Sequence, residues 1–280
     1  MSLSIMNNIP SLMAQNQLGV TEQGLQKTLF QLSSGSRINS GADDAAGLAI
    51  SDGLKANITS LQQSVYNAGD GVNALQVADG ALAQVTTLLN RAVTLATEAA
   101  TGTVSSAQRG SIDNEFQQIL NEINSIGTST NFNGASVFTA TATSIFLSDG
   151  VTNAPIAVTV GNLSTTSIGT TTLTLGADAL TTVGDASSGA TKALADINSA
   201  IAAVAASRGN LGAFMNRLQA ASNNMQSEQQ NLTQAVDTKT SADIGQTVAA
   251  MSKFQILQQT GMSALAQANS SQQAVLKLLQ

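Results

Sequence analysis

Residues 194–236 read "LADINSAIAAVAASRGNLGAFMNRLQAASNNMQSEQQNLTQAV", and this stretch decides the fold. Positions spaced alternately three and four residues apart are apolar with three exceptions, Arg208, Ser222 and Gln229. The apolar members are Leu194, Ile197, Ile201, Val204, Leu211, Met215, Leu218, Met225, Leu232 and Val236. This alternation is the 3.5-residue repeat of a coiled-coil seam, so the stretch predicts a long helix that packs against other helices.

Two further seams lie far away in the sequence. The first keeps the same alternation apart from one seven-residue step, and its members are Ile58, Leu61, Val65, Ala68, Val72, Leu75, Leu82, Val85, Leu89, Ala92 and Ala96. A shorter run consists of Ile112, Phe116, Ile119, Ile123 and Ile126. Matching seams in both halves of the chain predict a mainly α fold, an elongated and discontinuous coiled-coil bundle formed by N- and C-terminal parts. We expect helices at about 45–101, 105–127 and 190–237.

The middle of the chain has a different character. No Lys or Arg occurs from 110 to 191, and residues 139–190 are rich in Thr, Ser and Gly. The short alternating segments "SIFL" (144–147), "IAVTV" (156–160) and "TTLTL" (171–175) are separated by turn-like stretches that include "GNLSTTSIGT" (161–170). This pattern predicts a small β-hairpin region, with a disordered Ser/Thr linker as the alternative.

Both ends of the chain are apolar helices with little charge. Leu18, Leu25 and Leu32 are spaced seven apart, and only Glu22 and Lys27 carry charge in residues 1–31. The C-terminal apolar face contains Phe254, Leu257, Ala264, Leu265, Ala268, Val275, Leu278 and Leu279. Such helices need a partner to cover their apolar surface, so they pair either with each other or with copies from other molecules.

Composition argues against most kinds of chemical site. The chain has no His and no Cys, and only 10% of its residues are charged. We therefore expect no catalytic residues, no metal site and no cofactor, and we do not expect an enzyme. A net charge of −6 without a basic cluster argues against a nucleic-acid partner. No apolar run approaches a membrane span, and residues 1–19 do not resemble a secretory signal, so we expect no membrane insertion.

The stretch "SSGSRINSGADDAAG" (33–47) interrupts the helical pattern. Gly35 and Gly41 let the chain turn, and Asp43 and Asp44 favour the start of the next helix. A catalytic or metal-binding role for the two carboxylates is disfavoured, because adjacent side chains on a helix point about 100° apart. We predict an elbow here, at which Arg37 pairs across the turn or with a neighbouring subunit.

Three long segments resemble bacterial flagellin. They are "LSSGSRINSGADDAAGLAISDGLKANI" (32–58), "LNEINSIGTSTNFNGASVF" (120–138) and "MSKFQILQQTGMSALAQAN" (251–269), the last followed by "VLKLL" (275–279). The resemblance covers about the first 138 and the last 90 residues. It implies a structural subunit that self-assembles into the helical flagellar filament used for swimming motility, in a short form without large outer domains.

The resemblance also implies a layered arrangement and a set of partners. Residues 1–44 with 239–280 would form the inner tube, through the apolar positions at the two ends, and 45–238 would form an outer packing domain. The partners implied are other copies of the chain, the flagellar secretion apparatus, an export chaperone, and cap and hook–filament junction proteins. The location implied is the extracellular filament, and the ends are expected to fold on assembly.

One further site is implied by matching positions alone. Arg91, Leu95 and Glu115 occupy the places that, in some flagellins, contact the vertebrate flagellin-sensing Toll-like receptor, although Val93 and Thr94 replace charged residues nearby. Ordinary bundle-surface contacts are an equal explanation for these residues. Two rival functions stay open at this point: a hook–filament junction protein, and a coiled-coil adhesin or scaffold that does not polymerise.

Overall fold

The computed structural model describes residues 8–148, 155–169, 171–172 and 186–278. The helices found in these ranges are α1 (Ile9–Ser34), α2 (Ala45–Ala100), α3 (Ser106–Ser129), α4 (Ala186–Thr240) and α5 (Ile244–Leu278). The strands are β1 (Asn131–Phe132), β2 (Ala135–Ser136), β3 (Thr143–Ile145), β4 (Ile156–Val158), β5 (Asn162–Ser164), β6 (Ser167–Gly169) and β7 (Thr171–Thr172). The predicted class, a mainly α bundle with a small β-hairpin region, is confirmed.

The helix ends are fixed by local hydrogen bonds. Gln108 Oε1 accepts from the Ser105 N–H at 2.9 Å while Ser105 Oγ accepts from the Gln108 N–H, which makes a capping box at the start of α3. At the start of α1, Asn8 Oδ1 accepts from the Ser11 N–H and Pro10 occupies the first turn. Among the described helices none is both long and apolar enough to cross a membrane.

The chain packs as two compact units. One, here called the terminal unit, comprises Met1–Ala56 with Asn231–Gln280, and the other, the central unit, comprises Asn57–Gln230. The divisions fall inside α2 and α4, whereas the sequence placed them at the elbow, at 44/45 and 238/239. The start of α2 and the end of α4 therefore belong to the terminal unit. The assignment of inner and outer layers stays a prediction.

The core of the central unit is the predicted three-helix seam. Its fully buried large side chains are Leu61, Leu82, Val85, Leu89 and Leu95 from α2, Phe116 and Ile123 from α3, and Ile197, Leu211 and Leu218 from α4. Arg208, the one charged seam position, lies at the edge, where its Nε donates to Asp79 Oδ1 at 2.7 Å and its Nη2 to Oδ2 at 3.2 Å. This two-pronged ion pair lets a charge occupy the seam without leaving the guanidinium unpaired.

Three small antiparallel sheets form the β region. In the β1–β2 hairpin the turn residues Asn133 and Gly134 have φ of 51° and 79°, the left-handed pair of a type I′ turn. β3 pairs with β4, and β5–β6–β7 form a third sheet. The sequence interpretation of 161–170 as a turn-like separator is wrong, because β5 and β6 both lie within it. Residues 173–175 of the predicted strand "TTLTL" lie outside the described residues.

The hairpin of β5 and β6 docks on α3 at a glycine. The Leu163 carbonyl oxygen approaches Gly127 so closely that a Cβ at that position would overlap it. One turn earlier, Asn124 Oδ1 accepts from the Thr165 N–H at 2.9 Å. On α2, Ser64 is buried, and its Oγ both donates to the Ser148 carbonyl and accepts from the Ser148 N–H, each at 2.9 Å. Backbone contacts therefore hold these β segments on the helices.

Candidate assembly interface

Helices α1 and α5 pair antiparallel in the terminal unit. Asn8 Nδ2, at the start of α1, donates to the Ala268 carbonyl at 3.3 Å, and a Cβ on Gly24 would meet the Phe254 ring at 2.6 Å. The inward positions of α1 are Ser11, Ala14, Leu18, Thr21, Leu25, Thr28 and Leu32, and those of α5 are Thr247, Met251, Phe254, Gln258, Gly261, Leu265, Ala268 and Gln272. Both sets alternate three and four, so the pair is a coiled coil.

The predicted assembly residues do not all lie in this seam. Leu18, Leu25 and Leu32 of α1 and Phe254 and Leu265 of α5 are half-buried within it. Leu257 lies beside the seam and is 39% exposed. The backbone at positions 275 and 278 continues α5, but the side chains of Val275 and Leu278, and the whole of Leu279, lie outside the described residues.

Sequence reasoning missed the polar half of the seam. Ser11, Thr21, Thr28 and Thr247 are buried, more completely than the leucines beside them. The threonine hydroxyls donate to main-chain carbonyls four residues earlier, as in Thr21 Oγ1 to Gln17 at 2.8 Å and Thr247 Oγ1 to Asp243 at 2.7 Å. The signal that could have found them is the repeat Leu-x-x-Thr at residues 18–21 and 25–28.

Large apolar side chains lie instead on the outside of the pair. On α1, the face opposite the seam carries Ile9, Leu12, Met13, Val20 and Phe30, with Met13 67% exposed. On α5, Ile256 is 63% exposed, and Ile244, Val248 and Met262 are exposed as well. We call these residues the outer apolar face. Large apolar side chains exposed in such number on one helix pair are typical of a surface that another molecule covers.

The chain passes through the elbow twice, at residues 35–37 and at residues 240–242. These two crossings form a short antiparallel ladder, here called the elbow ladder. The Ala242 N–H donates to the Gly35 carbonyl at 2.9 Å, the Arg37 N–H donates to the Thr240 carbonyl at 2.6 Å, and Ser36 bridges to Ser241 between them. Gly35 ends α1 with φ of 68°, which glycine adopts without strain. Arg37 Nη2 donates to the Lys239 carbonyl at 3.0 Å, so its guanidinium reaches across the elbow to the other crossing.

The two elbow carboxylates have different partners. Asp44 Oδ1 accepts from the Gly47 N–H at 2.9 Å, which is an N-cap contact for α2. Asp43 Oδ2 accepts from the N–H groups of Asn39 and Ser40, each at 3.2 Å, and its Oδ1 lies 2.7 Å from Lys27 Nζ. The hydrogen bond from Lys27, helped by the Asn39 N–H, lowers the pKa of Asp43 to about 2. Asp43 therefore ties the elbow turn to α1.

The candidate receptor residues lie in the central unit. Arg91 and Glu115 form an ion pair on the surface, with Arg91 Nη2 2.6 Å from Glu115 Oε1. Leu95 belongs to the helix core and is only 2% exposed. Nowhere in the described ranges do three or more His, Cys, Asp or Glu side chains gather as ligands for a metal ion.

Comparison with known proteins assigns the two helical parts of the chain. Residues 5–143 match the family model of the bacterial flagellin N-terminal helical region, and residues 194–279 match that of the C-terminal helical region. A flagellin of Serratia marcescens is 43% identical over 140 residues, which cover 50% of this chain and 40% of that protein. The matched stretches span well under two thirds of the first curated relatives.

Two solved structures are similar to parts of the chain. Bacillus cereus flagellin is 30% identical with a TM-score of 0.48, and the match covers 57% of this chain and 88% of that one. A flagellar hook-associated protein of Vibrio parahaemolyticus is 13% identical with a TM-score of 0.56, covering 71% of this chain and 100% of that one, which is a likeness of fold alone. Because both helical regions match their family models, the chain belongs to the bacterial flagellin family.

Proposed function

We propose that the chain is a structural subunit that self-assembles into the extracellular filament of the bacterial flagellum. The observation that carries this proposal is the outer apolar face of the terminal helix pair. α1 and α5 pair within one chain through a seam of Thr, Ser, Gly and Leu, while Met13, Val20, Phe30 and Ile256 point away from it. Neighbouring copies would bury these side chains, as the predicted inner tube requires.

Filament growth from seeds tests this proposal. Purified monomer, added to filament fragments or treated with a precipitating salt, should grow long helical filaments visible by electron microscopy. A chain that stays monomeric would support an adhesin or scaffold, and one that forms only short capped assemblies would support a hook–filament junction protein. Either result would overturn the filament proposal.

Truncation separates assembly from folding. Removing residues 1–31 or 254–280 should abolish filament growth, because each deletion removes most of one helix of the terminal pair. The central unit has its own buried core, so circular dichroism should still show its helices. Loss of the whole helical signal would mean that the ends belong to one common core.

A matched pair of point variants tests the outer apolar face itself. Val20→Glu places a charge at an exposed apolar position on the outside of α1, and Gln26→Glu adds the same charge at an exposed polar position on the same helix. We expect Val20→Glu to raise the monomer concentration needed for growth and Gln26→Glu to leave it nearly unchanged. Equal growth by both variants would show that the outer apolar face is not covered in the polymer.

The remaining partners are proposed on the basis of family membership alone. Export through the flagellar secretion apparatus with a chaperone, and contacts with cap and hook–filament junction proteins, belong to this proposal, as does a role in swimming. The absence of Cys is consistent with a subunit that works outside the cell. A secretion assay that compares the culture medium of strains with and without a working flagellar export apparatus tests the route.

For the Toll-like receptor, we propose a contact that rests on Arg91 and Glu115, because Leu95 is buried among helices. Arg91→Ala and Glu115→Ala should each reduce signalling by receptor-bearing cells several-fold. Lys55→Ala, an exposed charge on the same helix, is the control and should change nothing. Signalling that is insensitive to both substitutions would remove this contact.

A further inference from the structure

The α1 side of the seam does not by itself select one register. On α1 its residues repeat every seven positions, with Leu at 18, 25 and 32 and Thr at 21 and 28. A slip of one heptad, about 10 Å along a helix that rises 1.5 Å per residue, would present nearly the same surface to α5. Coiled coils with uniform seams rely on a distinctive residue or an external constraint to fix register.

The structure nevertheless holds one register from the elbow to the far end of the pair. Ser36 faces Ser241 in the elbow ladder, and Asn8 contacts Asn269 at the other end. The same number of residues separates Asn8 from Ser36 on one side and Ser241 from Asn269 on the other. The two helices therefore keep one register over this whole length. Two contacts lie between these ends. The Leu18–Gly261 contact departs from the same pairing by two residues, and the Gly24–Phe254 contact departs from it by one.

The elbow ladder leaves no spare loop residues that would let α1 slip along α5. α1 ends at Ser34, and the next residue, Gly35, already accepts from the Ala242 N–H. On the other crossing Asp243 follows Ala242 at once, and its Oδ1 accepts from the Gln246 N–H in the first turn of α5. α1 therefore ends, and α5 begins, within two residues of a main-chain hydrogen bond between the two crossings. A slip would require this ladder to break or a full heptad of helix to unfold.

We infer that the elbow ladder sets the register in which α1 and α5 of one chain pair, and that the seam only follows it. The ladder has this effect through main-chain hydrogen bonds, with Ser36 Oγ adding a bond to the Thr240 carbonyl at 3.1 Å and Arg37 adding one to Lys239. The elbow is thus a specificity-determining element for helix pairing. The inference concerns contacts within one chain and does not depend on the proposed filament.

The rival determinant is the contact of Phe254 with Gly24. A slip of one heptad would bring Phe254 against Gln17 or Gln31 in place of the glycine, which would crowd its ring. Both determinants favour the observed register in the native chain, so the experiment must set them against each other. An insertion of one heptad into a single helix does this, because it moves the seam relative to the ladder and keeps the same helix face inward.

The experiment is thiol crosslinking in the full-length chain, which has no native Cys to interfere. The Asn8→Cys/Asn269→Cys variant reports the observed register, and the Asn8→Cys/Met262→Cys variant reports a slip of one heptad on the same helix face. Yields with a short bifunctional maleimide are compared as a ratio. Without an insertion we expect the 8/269 yield to exceed the 8/262 yield by at least tenfold.

The deciding arm repeats residues 244–250 once at the start of α5. If the ladder sets the register, position 262 moves to where 269 was, and the ratio should invert by a similar factor. A ratio that stays in favour of 8/269, with the extra heptad looped out, would assign the register to Phe254 and Gly24 and overturn the inference. So would a ratio near one, or negligible yields from both pairs, in the chain without the insertion.

A compensating variant shows that the insertion itself does no harm. Repeating residues 25–31 in α1 as well as 244–250 in α5 lengthens both helices equally, and the crosslinking ratio should return to its original value.

Seeded filament growth, measured on the variants without an insertion, distinguishes failure of the filament proposal from failure of the elbow inference. Failure to polymerise with the 8/269 preference intact would reject the filament proposal alone, and normal filaments without that preference would reject the elbow inference alone.

Discussion

The central and terminal units both contain coiled-coil seams, and they differ in what fills the seams. In the central unit the seam holds Phe116, Leu89, Leu211 and other fully buried apolar side chains. In the terminal unit the most deeply buried seam positions are Ser11, Thr21, Thr28 and Thr247. The central unit thus buries most of its large apolar side chains by itself, whereas the terminal pair leaves many of its own on the outside.

This difference separates folding from assembly. Burial of large apolar side chains is the dominant favourable term in folding, so the central unit has the means to be stable in a free subunit. A seam of Thr and Gly contributes less, since small side chains bury little apolar area. We therefore expect the terminal pair to be the less stable unit in the monomer and to gain stability when other copies cover its outer apolar face.

The largest contrast should appear between two phenylalanines. Phe116→Ala empties a site that is 0% exposed in the central unit, and it should lower the free energy of unfolding by about 3–5 kcal/mol. Phe30→Ala removes a ring that is 62% exposed on α1, and it should change the monomer by less than about 0.5 kcal/mol. Chemical denaturation measures both values. Similar losses from the two substitutions would contradict the comparison.

Phe30→Ala should affect filament growth, although it hardly affects monomer unfolding. Phe30→Ala removes part of the outer apolar face, so it should raise the monomer concentration needed for growth even though the monomer is hardly affected. The measurement is seeded growth at several monomer concentrations. An unchanged threshold would mean that Phe30 stays exposed in the polymer.

Two glycines of α3 sharpen the comparison inside the central unit. Gly127→Ala would place a methyl group against the Leu163 carbonyl oxygen, which is backbone and yields little, and should cost about 1–3 kcal/mol. Gly110→Ala, on the same helix with open space around it, should instead stabilise the helix by about 0.5–1 kcal/mol. Thermal unfolding followed by circular dichroism distinguishes the two. Equal effects would mean that the β5–β6 hairpin is not docked at Gly127.

Substitutions at two glycines of α1, Gly24 and Gly19, should differ less in stability than those at the two glycines of α3. A Cβ on Gly24 would lie 2.6 Å from the Phe254 ring, but the ring is the end of a side chain and has room to shift. We expect Gly24→Ala to cost about 1 kcal/mol in the terminal pair, and Phe254→Leu in the same chain to recover part of it. Gly19→Ala meets nothing within 4 Å and should be neutral or stabilising. Hydrogen exchange of α1 amides reports on this unit specifically.

The sequence predicted the central unit better than the terminal one for a physical reason. Apolar side chains at alternating spacings identify a buried seam directly, and the run from Leu194 to Val236 proved to be one continuous helix. Thr21 and Thr28 were not recognised as buried, because a threonine hydroxyl is polar in the sequence yet satisfies itself on its own helix carbonyl. Seams of this kind have no hydrophobic signature.

The backbone contacts were beyond sequence reasoning. The ladder at Gly35, Arg37, Thr240 and Ala242 joins main-chain groups, which every residue carries, so its position leaves no pattern in the side chains. The β5–β6 hairpin was missed for a similar reason, since its Ser- and Thr-rich residues resemble a turn. It is held by the approach of Leu163 to Gly127, a contact between segments far apart in the sequence.

Acid should weaken the elbow through Asp43. Its pKa is about 2 in the folded chain and 3.8 when unperturbed, so the folded state favours the carboxylate. The stabilising contribution is fully present above pH 4 and is lost as the pH falls toward 2. Lys27→Gln should reduce this dependence, because the Lys27 ammonium is the main cause of the lowered pKa. Hydrogen exchange of α1 amides at pH 4 and pH 2.5 measures it, and identical pH responses in the two proteins would contradict the assignment.

The smallest effect on folding is expected from Arg37→Ala. The substitution removes the guanidinium bond to the Lys239 carbonyl, but it keeps the Arg37 N–H that donates to Thr240, so the ladder survives. The guanidinium is exposed and its bond is solvent-screened, so monomer unfolding should change by less than about 0.5 kcal/mol. In a polymer the same small change at the elbow recurs in every subunit. Filament stability to heat or filament shape should therefore change more than monomer unfolding does, and unaltered filaments would leave Arg37 with only its local bond to Lys239.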